Sequence, residues 1–302
     1  MKRILILTLF FYITTCFAFA NDTNEVAPKP KFIPKLDTFT YKYHFEVGDT
    51  IIYAVMSRDS IIIAWGDPLL RIRSERIMIT CDSITPAGHF VLKQQLIQFQ
   101  SRESNSEEKN VQRNHTPWLN YPAYIVIDSL GRRYDTYHDD KRSLAMSPGG
   151  PFQPFVIYPL ESPTAEKPTN SKLTNESWMI TDTLLKLPEN GNPYSALRAT
   201  FFYRVIGIVD TLEFGDLLKM TFSITSQGSV AVKSDELLML TTSINNAGGE
   251  IFWDTINWVP QYFFHTIEQR LTIEDKANSI RETGFHFIHS TFVREKFIRK
   301  NK

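Results

Sequence analysis

Residues 263–273 read Phe263-Phe264-His265-Thr266-Ile267-Glu268-Gln269-Arg270-Leu271-Thr272-Ile273. Phe263, His265, Ile267, Gln269, Leu271 and Ile273 fall on one face, and Phe264, Thr266, Glu268, Arg270 and Thr272 on the other. Alternation of period two over this length predicts a long strand with one wet face. Phe285–Val293 is its expected partner. From about residue 38 the rest of the chain agrees: Thr, Tyr, Ile, Val and Phe dominate, and long stretches of helical period are absent.

The continuous apolar runs Ile51–Met56 and Ile61–Trp65 suit strands buried on both faces. Asp67-Pro68 could open a short helix, but the alternation Leu70-Arg71-Ile72-Arg73 argues for a strand. Pro86-Ala87-Gly88 makes a turn before a strand over Phe90–Phe99, and the polar stretch 101–116 reads as an exposed loop. Asp128-Ser129-Leu130-Gly131 reads as a hairpin ending on a left-handed glycine.

Three short patterns recur in order. Phe45-Glu46-Val47-Gly48-Asp49 is echoed by Leu212-Glu213-Phe214-Gly215-Asp216. Ser83–Gly88 is echoed by Ser243–Gly248, and Asp128–Gly131 by Asp275–Asn278. The order implies an internal repeat. Eight of the 16 prolines lie in 147–193, which excludes that segment from a central sheet. The expected fold is mainly β: two related antiparallel, curved sheet lobes, 38–146 and 194–297, joined by a proline-rich linker at 147–193. Trp178–Leu185 is a candidate strand within that linker.

Lys2 and Arg3 precede an apolar run, Ile4 to Phe17, and Ala18-Phe19-Ala20 has the small-x-small pattern of a signal-peptidase site. Residues 1–20 therefore read as a signal peptide cleaved after Ala20, followed by a flexible leader at 21–37. Lipidation at Cys16 is disfavoured by Thr14 and Thr15 before it. Removal of the signal leaves Cys81 alone, so no internal disulfide forms. The tail, Arg294 to Lys302, is basic and expected to fray, with 298–302 outside the second lobe. With 33 basic and 33 acidic residues, the chain has no excess charge to bind nucleic acid.

Chemical candidates are few. His286 and His289 would share a metal on a helix, but in a strand they point to opposite faces. Asp135, His138, Asp139 and Asp140 offer hard ligands for Ca²⁺, yet their spacing fits a solvated acidic turn better. Cys81 beside Asp82 reads as a small buried hydrophobe rather than a nucleophile, because a carboxylate raises a thiol pKa. No nucleophile elbow, phosphate loop or zinc-protease motif occurs, and nothing implies a cofactor. A transmembrane barrel needs lipid-facing alternation in every strand, and only 263–273 shows it.

The Gly48-Asp49 and Gly215-Asp216 strand entries, the Asp128–Gly131 hairpin and the stretch Asn175-Glu176-Ser177-Trp178 resemble uncharacterised secreted two-lobed all-β proteins of bacterial envelopes. At the level of fold, the layout is also similar to periplasmic lipid and lipoprotein carriers. Two functions fit. One is an exported, non-enzymatic envelope protein that binds a hydrophobic, lipid-like ligand or a protein partner. The other is a secreted hydrolase whose paired carboxylates meet in space.

Overall fold

The computed structural model of the chain describes residues 30–31, 39–40, 42–63, 67–138, 171–172, 177–186, 195–211, 213–232, 239–275 and 279–300. The signal segment with Cys16, most of the leader, Asp139, Asp140, Asn175, Glu176 and most of the proline-rich segment lie outside them.

The described residues are all β, with no helix. The first half contains β1 (Pro30–Lys31), β2 (Phe39–Thr40), β3 (Thr50–Ile63), β4 (Leu69–Ile84), β5 (Phe90–Ser104), β6 (Val111–Arg113), β7 (Pro122–Ile127) and β8 (Arg133–Tyr137). The second contains β9 (Ser171–Lys172), β10 (Ser177–Lys186), β11 (Ser195–Thr211), β12 (Gly215–Val232), β13 (Met239–Asp254), β14 (Val259–Asp275) and β15 (Ile280–Ile298). β2 and β9 form a separate two-stranded ribbon.

The other thirteen strands form one antiparallel sheet. In it β3 to β8 lie together, as do β10 to β15. They join edge to edge through β15 and β3, from Gly284 opposite Ile63 to Ile298 opposite Thr50. Without the short side strands β1 and β6, the wall runs β10-β11-β12-β13-β14-β15-β3-β4-β5-β7-β8, eleven strands in all. It curves until its ends meet, as the right-handed twist of a large sheet favours. At that seam side-chain bonds stand in for a ladder: the Arg133 N–H donates to Asp182 Oδ2 (3.2 Å), and Arg133 Nη1 donates to the Leu184 carbonyl (3.0 Å).

Three sequence readings change in the structure. The polar stretch 101–116 is in part a hairpin, since β5 runs on to Ser104 and pairs with β6. The basic tail does not fray at Arg294: β15 continues to Ile298, and Arg294 and Arg299 bind Asp254 and Asp49. Of the three echoes, the first pair sits alike, each glycine at positive φ just before or at the start of a long strand (Gly48 93°, Gly215 72°). The second does not, because Ser83–Gly88 leads into the β4–β5 turn while Ser243–Gly248 lies within β13. Gly131, at φ 76°, closes the β7–β8 turn as anticipated, and Asp128 Oδ1 accepts from the N–H groups of Leu130 and Arg132.

One end of the barrel is plugged by aromatic rings. Tyr43 meets Trp253 edge-on at 5.1 Å, and Phe45 meets Phe90 at 5.4 Å. Deeper in, Phe263 stacks on Phe292 at 4.1 Å and meets Tyr53 at 6.0 Å. The Tyr53 hydroxyl donates to the Pro260 carbonyl at 2.7 Å. At the plug the buried Asp49 carboxylate accepts from the Glu46 N–H and binds Arg299. Removing that guanidinium leaves a buried carboxylate without its cation. Arg299→Ala is therefore expected to cost about 2 kcal/mol, read as a lower urea midpoint at unchanged m-value.

Candidate functional site

The strand over 263–273 has the faces that its pattern predicts, with His265 and Gln269 buried on the core side. On the strands that follow β14 in the sheet, part of the pattern inverts. In β4, Arg71 and Arg73 turn inward and Leu70 and Ile72 turn out. In β3, Asp59 is buried and Arg58 exposed; in β15, His286 is buried and His289 exposed. As expected for a strand, these two histidines lie on opposite faces. Among the described residues no group of three or more His, Cys, Asp or Glu side chains could hold a metal ion.

The inward charges form one network. Asp59 accepts from Arg73 Nη2 at 3.1 Å and from Arg71 Nε at 2.7 Å, and its Oδ2 also pairs as an ion with Arg73 Nε at 2.8 Å and Arg71 Nη2 at 2.7 Å. Arg73 Nη1 donates to Glu75 Oε1 at 3.0 Å. His286 Nε2 stands 3.8 Å from Asp59 Oδ2, beyond hydrogen-bond reach. Below the network, Ser57 and Ser290 share a hydrogen bond of 2.7 Å across β3 and β15. Two carboxylates thus face two guanidinium groups, and all of these residues except Arg71 are buried.

The two acids respond differently to the same surroundings. Burial alone would raise the Asp59 pKa, but His286, Arg73 and Arg71 outweigh it and hold the carboxyl well below the usual range. Glu75 is pushed up by burial, which Arg73 only partly offsets and the Asp59 charge reinforces. Burial, with Arg73 adding repulsion, draws His265 down to about 3. Burial also lowers His286 against the pull of Asp59.

This arrangement brings together what a carboxylate-pair hydrolase requires, two acids with one raised pKa, and then fills the space between them. Arg73 bonds both carboxylates, where glycoside hydrolysis needs a sugar and a water. Of the remaining candidates, Cys81, Asp135 and His138 are among the described residues, and Asp139 and Asp140 are not. Burial first, then Asp49 and Asp82, push the Cys81 thiol up to about 12, so it stays protonated at neutral pH. Asp135 is exposed and its carboxylate accepts from the Thr136 N–H at 2.8 Å. His138 sets its ring against Trp118 at 5.2 Å.

His265 has a consequence for pH. Its folded pKa lies below the unfolded value, so the unfolded chain binds more protons between about pH 6.5 and 3. The stability it contributes is complete above that window and is lost as pH falls through it. Glu75, raised in the fold, acts with opposite sign over its own window. His265→Gln is expected to lessen the stability lost between pH 6 and pH 5 by about 1 kcal/mol, measured by urea unfolding at both pH values.

No family model matches this sequence, and no curated protein matches it. It is similar to a solved structure described as lipid–protein interactions in lipovitellin, at 8% identity and a TM-score of 0.42. That match covers 86% of this chain and 26% of the other, so the chain spans about a quarter of that molecule. A likeness this loose has no bearing on function.

Proposed function

We propose that the chain is an exported, non-enzymatic envelope protein that holds a lipid-like molecule in its barrel. The observation that supports this is the size of the wall and the way it closes. Eight strands make a barrel that its own side chains fill, and interior width grows with strand number. Here eleven strands surround an interior faced by Phe201, Tyr203, Phe222, Phe263 and Phe292. Larger barrels of this kind enclose ligands. The seam between β8 and β10 is held by the contacts of Arg133 with Asp182 and Leu184. Parting it breaks fewer hydrogen bonds than parting a paired strand, which gives an apolar ligand a lateral way in.

Export rests on the basic n-region, the apolar run to Phe17 and the Ala18-Phe19-Ala20 site. The absence of catalysis rests on the occupied Asp59–Arg73–Glu75 network. Native mass spectrometry of protein purified from its own envelope, without detergent exchange, tests the reading. Extra mass that matches a lipid and leaves on denaturation is the expected result. A bare chain, or one carrying a second polypeptide, would overturn the lipid reading. The mass of the chain itself reports cleavage after Ala20.

A further inference from the structure

The apolar run Ile51–Met56 and the alternation Leu70–Arg73 carry a signal that the core does not absorb. Read from sequence, the run implies burial on both faces, yet Met56 is 52% exposed. Leu70 and Ile72 are 52% and 48% exposed, and Phe285 37%. All four point outward from adjoining strands, directly behind the buried charges of the inner face. Half-buried Phe287 and Ile62 share that outer face.

Register makes these residues one patch. Phe285 lies opposite Ile62, and Phe287 opposite Ser60, which in turn faces Leu70. Arg58 sits between His289 on β15 and Ile72 on β4, and Ile72 lies opposite Arg102 on β5. Directly opposed side chains stand about 5 Å apart, so the surface is continuous from β15 to β5.

A wall with charges inside and aliphatic groups outside is unfavourable in water, and over Leu70–Arg73 alone the opposite facing would suit water better. The same wall is favourable against hydrocarbon, where strands alternate apolar out and polar in. We infer that this outer face of β15, β3 and β4 docks on an anionic lipid membrane. Charge favours that occupant. The cations Arg58, Arg102 and Arg270 share the face with one bordering acid among the described residues, Glu268, opposite Phe287. A groove of about 480 Å³ beside the patch, lined in part by Met56, Ile72, Arg102 and Gln112, offers room for a headgroup. Arg58 at the centre of the patch sets the depth. An arginine is costly at the bilayer midplane but favourable at phosphate level, so the face lies on the membrane with its apolar side chains in the interfacial layer.

The test is flotation of the full chain with vesicles of phosphatidylglycerol and phosphatidylcholine, compared with phosphatidylcholine alone. The wild type is expected to float with the anionic vesicles and to release as salt rises. The triple variant Leu70→Ser, Ile72→Ser, Phe285→Ser should bind at least about tenfold more weakly, with an unchanged circular dichroism spectrum because the sites face outward. Arg58→Gln with Arg102→Gln should also bind about tenfold more weakly and lose most of the salt dependence.

Failure of the folded wild type to float overturns the inference, as does equal flotation of both variants. A wild-type dimer that the triple variant dissolves, with no vesicle binding, assigns the patch to a second copy instead. The inference stands apart from the lipid cargo. Loss of flotation in a variant that still carries lipid mass supports a separate docking face, and flotation of a chain with no cargo leaves docking intact while removing the cargo.

Discussion

Arg73→Met is expected to destabilise the protein by about 3–5 kcal/mol, because it leaves two buried carboxylates without their shared cation. At roughly 2–4 °C per kcal/mol for a domain of this size, the melting temperature should fall by about 10 °C. The cause is uncompensated charge rather than lost attraction, and a second variant separates the two. Replacing Asp59, Arg73 and Glu75 together by Leu, Met and Met removes every charge of the trio, leaving Arg71 with access to water at the rim. Exchange of a complete buried ion network for apolar groups is often near neutral, so this variant should recover most of the loss. A single variant as stable as the wild type would show that the network contributes nothing. A triple variant as unstable as the single would show that the interior needs charge for its shape.

Gly249→Ala carries the second large effect. A Cβ built there would lie 2.0 Å from the Phe264 carbonyl oxygen and 2.9 Å from the His265 Cα, both backbone atoms of β14. A flexible side chain could move aside, but a neighbouring strand moves only with its ladder. The expected cost is about 3 kcal/mol or more. Gly88→Ala serves as the comparison. Nothing lies within 4 Å of a Cβ there, and only its φ of 81° opposes the substitution. It should cost about 1–2 kcal/mol, the ordinary penalty for a left-handed alanine. Urea midpoints of the two variants measure the difference.

The all-β class was legible because period-two alternation depends on backbone geometry alone, and residues 263–273 obey it with His265 and Gln269 inside as the pattern requires. The glycine of the β7–β8 turn was legible for the same reason: positive φ at Gly131 is a local property. What could not be read locally was which face looks inward. Leu70-Arg71-Ile72-Arg73 alternates cleanly and is a strand as read, but its polarity alone would put the arginines outside, and the structure puts them inside. The deciding partner, Asp59, sits across the β3–β4 pair, and His286 arrives from the far end of the chain. The Ser57–Ser290 bond spans 233 residues. A site assembled from β3, β4, β14 and β15 leaves no spacing in the sequence by which to find it. The joining of the halves was hidden likewise, since strand order depends on which edges meet in space.

The pairing of β15 with β3 also determines when the barrel can form. β3 is the first long strand to be synthesised, and β15, which completes its ladder along Thr50–Ile63, is the last. Through the whole of synthesis that edge of β3 is open, with Ile52 and Met56 on the face beside it. Contacts of such wide sequence separation form slowly, and an unpaired apolar edge is a template for pairing with other chains. Closure of the sheet between β3 and β15 therefore waits for the last of the described strands. The interval before it, rather than the finished barrel, is when the chain is most exposed to aggregation.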